Sequence, residues 1–159
     1  MKKLLLIRHA KAVSEIDTND YERPLKYTGL QDAEFMAERV KTELIVPQIL
    51  ISSAALRTET TANIFSEHLM LPKPILDKNI YSAGKKALVN IINQFPDDYN
   101  FIGLVGHNPD ISELITYFTE EEKDVPTCTV ALIEFELDSW KLLSESTGNL
   151  TWYSTPKEY

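Results

Sequence analysis

The sequence predicts an α/β fold in three α/β/α layers, with helices on both faces of a mostly parallel sheet. Three observations carry this: short apolar runs, helical-period stretches alternating with them, and polar residues gathered where runs end. Leu4–Ile7 reads as the first strand, apolar throughout as expected of a strand covered on both faces. From Leu30 the period changes. Leu30, Ala33, Ala37, Val40 and Leu44 share one helical face, with Gln31, Asp32, Glu34, Glu38 and Lys41 opposite. Thr28 is a candidate cap for this helix, and Pro47 lies beyond its end. Gln48–Ile51 is a second strand, followed by Ser52, Ser53 and a helix from Ala54 to Leu69. Pro72 and Pro74 separate that helix from a brief apolar piece, Ile75 and Leu76. A helix is expected from Lys85 to Phe95, a buried strand over Asn100–Val105, and another helix over Ile111–Phe118 after the break at Gly106–Pro109. The charged stretch Glu120–Asp124 reads as a solvated loop. Thr129–Leu137 and Trp140–Ser146 read as two closing strands around a turn at Asp138 and Ser139, giving an antiparallel edge.

The chain has 159 residues, 43% of them hydrophobic and 25% charged, which suits a single globular domain rather than a disordered segment. Cys128 is the only cysteine, which excludes an intrachain disulfide and a zinc site built on several thiolates. The net charge of −8 argues against nucleic acid as a partner. No apolar run approaches the roughly 20 residues that span a bilayer, so no membrane association is expected. The apolar start Leu4–Ile7 is cut by Arg8 and His9, too short for a secretory signal; the expectation is a cytoplasmic monomer.

In open parallel sheets, ligands bind outside the carboxyl ends of the strands. Arg8 and His9 end the first strand, Ser52 and Ser53 the second, and Gly106 and His107 the late one. A neutral imidazole is a competent nucleophile near pH 7, and an arginine fork suits phosphate or carboxylate oxygens. Arg57 lies one turn into a helix whose N-terminus favours anions. Taken singly, each has a plain structural alternative: an imidazole bonding a loop, a surface arginine paired with Glu59 or Glu113. Two arginines and two histidines at strand–helix junctions together suit phosphoryl transfer, in which fixed cations stabilise charge spread over equatorial oxygens.

Here a resemblance becomes specific. Leu5-Leu6-Ile7-Arg8-His9-Ala10 is similar to the Arg-His-Gly signature of the histidine phosphatase superfamily. The stretch Ser52–Ala62 resembles its Ser-Ser-Pro…Leu-Arg-Ala segment, and Val105–Pro109 its second-histidine motif. Within the superfamily the chain resembles SixA-type phosphohistidine phosphatases, through Arg23-Pro24-Leu25-Lys26-Tyr27-Thr28-Gly29 and Tyr81-Ser82-Ala83. The resemblance implies a phosphoglycerate mutase-like fold. It also implies that His9 attacks phosphorus, that Arg8, Arg57 and His107 hold the phosphoryl oxygens with His107 charged, and that no metal or cofactor takes part. Arg23 and Asn108, inside or beside the matched motifs, are further candidate contacts. The implied substrate is a phosphorylated protein carrying phosphohistidine. A small phosphate ester and a non-catalytic phosphate-recognition module are the alternatives.

Ala10 stands where the signature has glycine, so the backbone there must accept a Cβ close to the phosphate site. Ala54 replaces a common proline and Thr60 a common glutamine. Larger family members take their proton donor from a segment inserted around the third strand, and this chain is short there. Asp77 is the nearest candidate, with Asp17 and Asp20 as others; for each, a solvated loop or a cap is the competing reading. Lys11, Arg23, Lys26, Lys78, Lys85 and Lys86 lie in or beside segments near the strand ends, where they form either a basic rim on an acidic body or a scatter of solvated cations.

Overall fold

The first strand, Lys2–Arg8 (β1), is followed by Ile49–Ser53 (β2), Ile75–Asp77 (β3), Phe101–Gly106 (β4), Val130–Phe135 (β5) and Gly148–Ser154 (β6). The computed structural model describes residues 1–14 and 19–156 of the chain. The strands form one sheet in the order β3-β2-β4-β1-β5-β6. The first four are parallel, while β5 runs antiparallel to β1 and β6 to β5. Among the described residues, four α-helices cover this sheet: Tyr27–Thr42 (α1), Leu56–Leu69 (α2), Lys85–Asn93 (α3) and Asp110–Thr119 (α4). Among the described residues, no helix is long and apolar enough to cross a membrane.

Alternation along β1 explains the three layers. Leu5 and Ile7 pack with Ala33, Met36, Ala37 and Val40 of α1 and Phe65 of α2. Leu4 and Leu6 point the other way, into Leu88 and Ile92 of α3 and Ile111, Leu114 and Phe118 of α4. Each such side chain, fully removed from water, contributes about 1.5–3 kcal/mol before chain entropy is subtracted.

The register places the carboxyl ends of the parallel strands side by side. Arg8 lies opposite Gly106, Ser52 opposite Val105, and Ser53 opposite Asp77. The loop leaving β1 is fixed against the start of α1, where the Lys26 amide donates to the Lys11 carbonyl at 2.9 Å. The same approach explains Gly29, whose missing Cβ would stand 2.2 Å from the Lys11 carbonyl oxygen.

Two elements differ from the sequence expectation. Helix α1 begins at Tyr27, which puts the expected cap Thr28 inside it, because the docked Lys26 is its N-cap and starts the ladder with Leu30 N–H donating to Lys26 O at 3.0 Å. Leu44, expected on its apolar face, lies beyond its end at φ 60° and is exposed. The segment Trp140–Ser146 is not a strand. It begins with a 3-10 turn at Trp140–Leu142, and the last strand is β6. The buried Trp140 donates its indole N–H to Tyr99 O at 2.9 Å and its backbone N–H to Asp97 Oδ1 at 3.0 Å. Asn93 donates to the carbonyls of Trp140 and Leu143, so the polar groups a ladder needs are already committed.

Candidate active site

His9 leaves β1 and is buried, its backbone pinned on both sides. Its N–H donates to Gly106 O and its carbonyl accepts from Cys128 N–H, each at 3.0 Å. The tautomer follows from the ring's partners. Nδ1 lies 2.7 Å from the Ala10 carbonyl, which only accepts, so Nδ1 carries the proton. Nε2 is left with a lone pair, aimed at Arg57 Nε–H at 3.3 Å. Ala10 is fully buried, and its N–H donates to Thr61 Oγ1 at 3.0 Å, so the Cβ absent from the glycine signature is accommodated here.

Arg57, near the start of α2, is 5% exposed and lies between the two histidines. Its Nη2 donates to His107 Nδ1 at 3.3 Å, and the His107 Nε2–H donates to Ser53 Oγ at 2.8 Å. The two imidazole centroids are 5.4 Å apart. Arg8 completes the group from the end of β1: Nη1 donates to Val125 O at 2.7 Å, while its buried Nε has no partner. An orphaned buried guanidinium N–H beside two imidazoles suits an oxyanion. The structure therefore brings Arg8, His9, Arg57 and His107 together from β1, α2 and the end of β4.

Burial, with the neighbouring His107, Arg57 and Arg8 as lesser causes, pushes His9 down to about 3. Burial, then Arg57, pushes His107 down to about 4. Both rings are therefore neutral in the unliganded site. The expectation that His107 is charged concerns the occupied site, where a phosphoryl dianion favours the imidazolium.

A pH prediction follows. Unfolded, both histidines take up protons near 6.5; folded, only near 3 and 4. Between those limits the unfolded chain binds more protons, so stability is lost as pH falls through 6.5. We expect the unfolding free energy to drop by roughly 2–4 kcal/mol between pH 7 and pH 5. Urea unfolding across that range measures it, and His107→Gln should flatten the slope.

A cavity of about 300 Å³ opens beside the imidazole of His107, lined by Arg57, Asp20, Tyr81, Asn108 and Asp110 among others. Asn108 is tied within it, donating to Val125 O and accepting from Ser112 N–H, each at 3.2 Å. Arg23 faces Asp20, with Nε donating to Oδ1 at 3.0 Å. Asp77 does not line this cavity. It ends the edge strand β3 and caps the 3-10 turn Lys78–Ile80 by accepting from Asn79 N–H at 2.8 Å, which corrects its candidacy as a proton donor. Asp17 lies outside the described residues. Two cations of the expected basic rim are engaged elsewhere: Arg23 is paired with Asp20, and Lys85 sits over the Tyr117 ring beside an acidic groove along α4. Two residues not singled out as site candidates are partners in the site: Ser53, placed at a strand end by the sequence and here holding His107, and Tyr81, whose hydroxyl donates to Asp20 Oδ2 at 2.5 Å. A buried serine closing an apolar strand was the available signal for the first.

Residues 4–80 match the family model described as histidine phosphatase superfamily, branch 1. An uncharacterized chloroplastic protein of Arabidopsis thaliana is 28% identical over 162 aligned residues, 95% of this chain and 74% of that protein. Among solved structures, SixA of Agrobacterium tumefaciens superposes with a TM-score of 0.84 at 21% identity, covering 98% of each chain. The protein histidine phosphatase SixA complexed with tungstate superposes with a TM-score of 0.79 at 19% identity, covering 98% of this chain and 97% of that one. At these identities the shared property is the fold, the three-layer arrangement around a mixed sheet.

Proposed function

We propose that this chain, whose residues 4–80 match the histidine phosphatase superfamily model, is a member of that superfamily and a metal-independent phosphatase working through a phosphohistidine on His9, with phosphohistidine on a protein as its substrate. One observation carries the reading: the Ala10 carbonyl holds the proton of His9 on Nδ1, leaving the Nε2 lone pair facing the guanidinium of Arg57. A nucleophile needs that lone pair, and the low proton affinity of the buried ring keeps it available well below neutral pH.

In the first step the P–Nε2 bond forms while the bond from phosphorus to the leaving group breaks. Arg57, Arg8 and His107 take the equatorial oxygens, where fixed donors act without reorganisation. In the second step water attacks phosphorus, the P–Nε2 bond breaks, and orthophosphate leaves with His9 neutral again.

The leaving group decides the substrate class. An alkoxide must collect a proton as it departs. The carboxylate closest to the clamp, Asp20, is held down at about 2 by hydrogen bonds from Tyr81, then Arg57 and Arg23, so it is ionised at neutral pH. A phosphohistidine protonated on its other ring nitrogen departs as a neutral imidazole and needs no such donor. That asymmetry favours phosphohistidine over sugar or glycerate esters.

The test compares a phosphohistidine protein with a panel of phosphorylated sugars and glycerates, alongside rapid-quench trapping of the enzyme. We expect an acid-labile phosphoenzyme and a kcat/KM for phosphohistidine at least about 10²-fold above the esters. Preference for an ester moves the substrate to small metabolites. Phosphate binding without any adduct makes the protein a recognition module instead.

A further inference from the structure

A guanidinium offers two edges for paired hydrogen bonds: a side edge, Nε with Nη2, and an end edge, Nη1 with Nη2. In Arg57 the end edge belongs wholly to Asp20. Nη1 donates to the Asp20 backbone carbonyl at 2.6 Å and Nη2 to Oδ2 at 3.1 Å. The side edge is thereby turned onto the two imidazole lone pairs, His9 Nε2 and His107 Nδ1, both at the long distance of 3.3 Å. These two contacts are the ones a pair of phosphoryl oxygens replaces without disturbing Asp20.

Asp20 is itself held from two further directions. Oδ1 accepts from Arg23 Nε at 3.0 Å and Oδ2 from the Tyr81 hydroxyl at 2.5 Å. Arg23 is anchored through Nη1 to Val13 O at 2.9 Å, and Asn19 caps the short turn by accepting from Glu22 N–H at 3.1 Å. The Tyr81 ring also stands edge-on to His107, centroids 5.5 Å apart. An exposed turn after β1 is thus built to deliver one carboxylate to the back of one arginine.

We propose that Asp20 is the positioning residue of the phosphoryl clamp: it takes the end edge of Arg57 so that the side edge faces the seat between His9 and His107, and Arg23 and Tyr81 keep it there. The seat itself rests on the phosphatase reading; the orientation of Arg57 does not. Asp20 acts through Arg57 and stays ionised throughout, rather than giving a proton to the leaving group. The anionic carboxylate lies behind the cation, on the edge away from the phosphoryl group, which limits its repulsion of that group.

Asp20→Ala and Asp20→Asn test this, with kcat/KM measured on phosphoimidazole and p-nitrophenyl phosphate and tungstate affinity measured by calorimetry. Both variants keep the backbone carbonyl that Nη1 uses; asparagine also keeps a side-chain oxygen for Nη2, and alanine keeps no side-chain acceptor. The expected loss in kcat/KM is about 30-fold for Asp20→Ala and about 3-fold for Asp20→Asn, by the same factor on both substrates. Tungstate affinity should fall in the same order. Losses of equal size in the two variants, or losses that differ between the substrates, would make Asp20 an acid and overturn the proposal. Parameters unchanged in Asp20→Ala overturn it as well, whatever happens to the melting temperature. If the unaltered protein turns over neither substrate, the phosphatase reading fails, while the tungstate series still decides the orientation of Arg57.

Discussion

His9→Ala should yield no acid-labile phosphoenzyme and lose turnover by about 10⁴-fold or more, the scale seen when a covalent hydrolase loses its nucleophile. The ring of His107 is the only other imidazole in the group, and its Nε2 is committed to Ser53 while its Nδ1 faces Arg57. Its lone pair, on Nδ1, faces Arg57 at the same 3.3 Å as that of His9, so loss of the adduct in His9→Ala assigns the nucleophile to one of two similarly placed rings. Tungstate should still bind to His9→Ala within about tenfold of the unaltered protein, since Arg8, Arg57 and His107 remain. Quench-flow trapping with labelled substrate, paired with calorimetry, separates the two properties; an adduct of undiminished yield in this variant would move the nucleophile elsewhere.

Arg57→Ala is expected to cost about 10²–10³ in kcat, the usual consequence of removing one preorganised donor from a charged transition state. A second consequence distinguishes Arg57 from a simple surface cation. It lowers the proton affinity of both histidines, after burial, so its removal should raise the pKa of each ring. NMR titration of the imidazole protons reads this directly. Arg57→Lys should restore little activity, because an ammonium cannot occupy Asp20 with one edge and face two imidazoles with the other.

The four central residues were legible because Arg8, His9 and His107 stand where apolar runs stop, Arg57 lies in the first turn of the helix after another such run, and all four fall in stretches that resemble the family's motifs. The topology then does the rest: β1, β4 and β2 are neighbours, so their ends cannot avoid one another. Asp20 was less legible. It was one of three acids in loops, and its partners Arg57 and Tyr81 lie 37 and 61 residues away. No local period or motif announces that a loop carboxylate and a buried guanidinium will meet. Asp77 misled for the opposite reason, since its position after β3 pointed to the sheet's carboxyl edge while its side chain turned back to cap its own chain. The false strand at Trp140–Ser146 shows the same limit. Its aromatic and apolar residues fit a pleated surface, and only the tertiary demand of Asp97, Tyr99 and Asn93 on Trp140 and Leu143 removes it from the ladder.

Strand β1 comes early in the chain yet occupies an interior place, between β4 and β5. On the ribosome, its hydrogen-bonding groups therefore wait for partners until synthesis has passed Phe135. The backbone of His9 waits with them, since Gly106 and Cys128 supply its two anchors. A nascent chain carries the His9 ring long before anything cradles it, so the cluster of Arg8, His9, Arg57 and His107 is anchored only after Cys128 has been added.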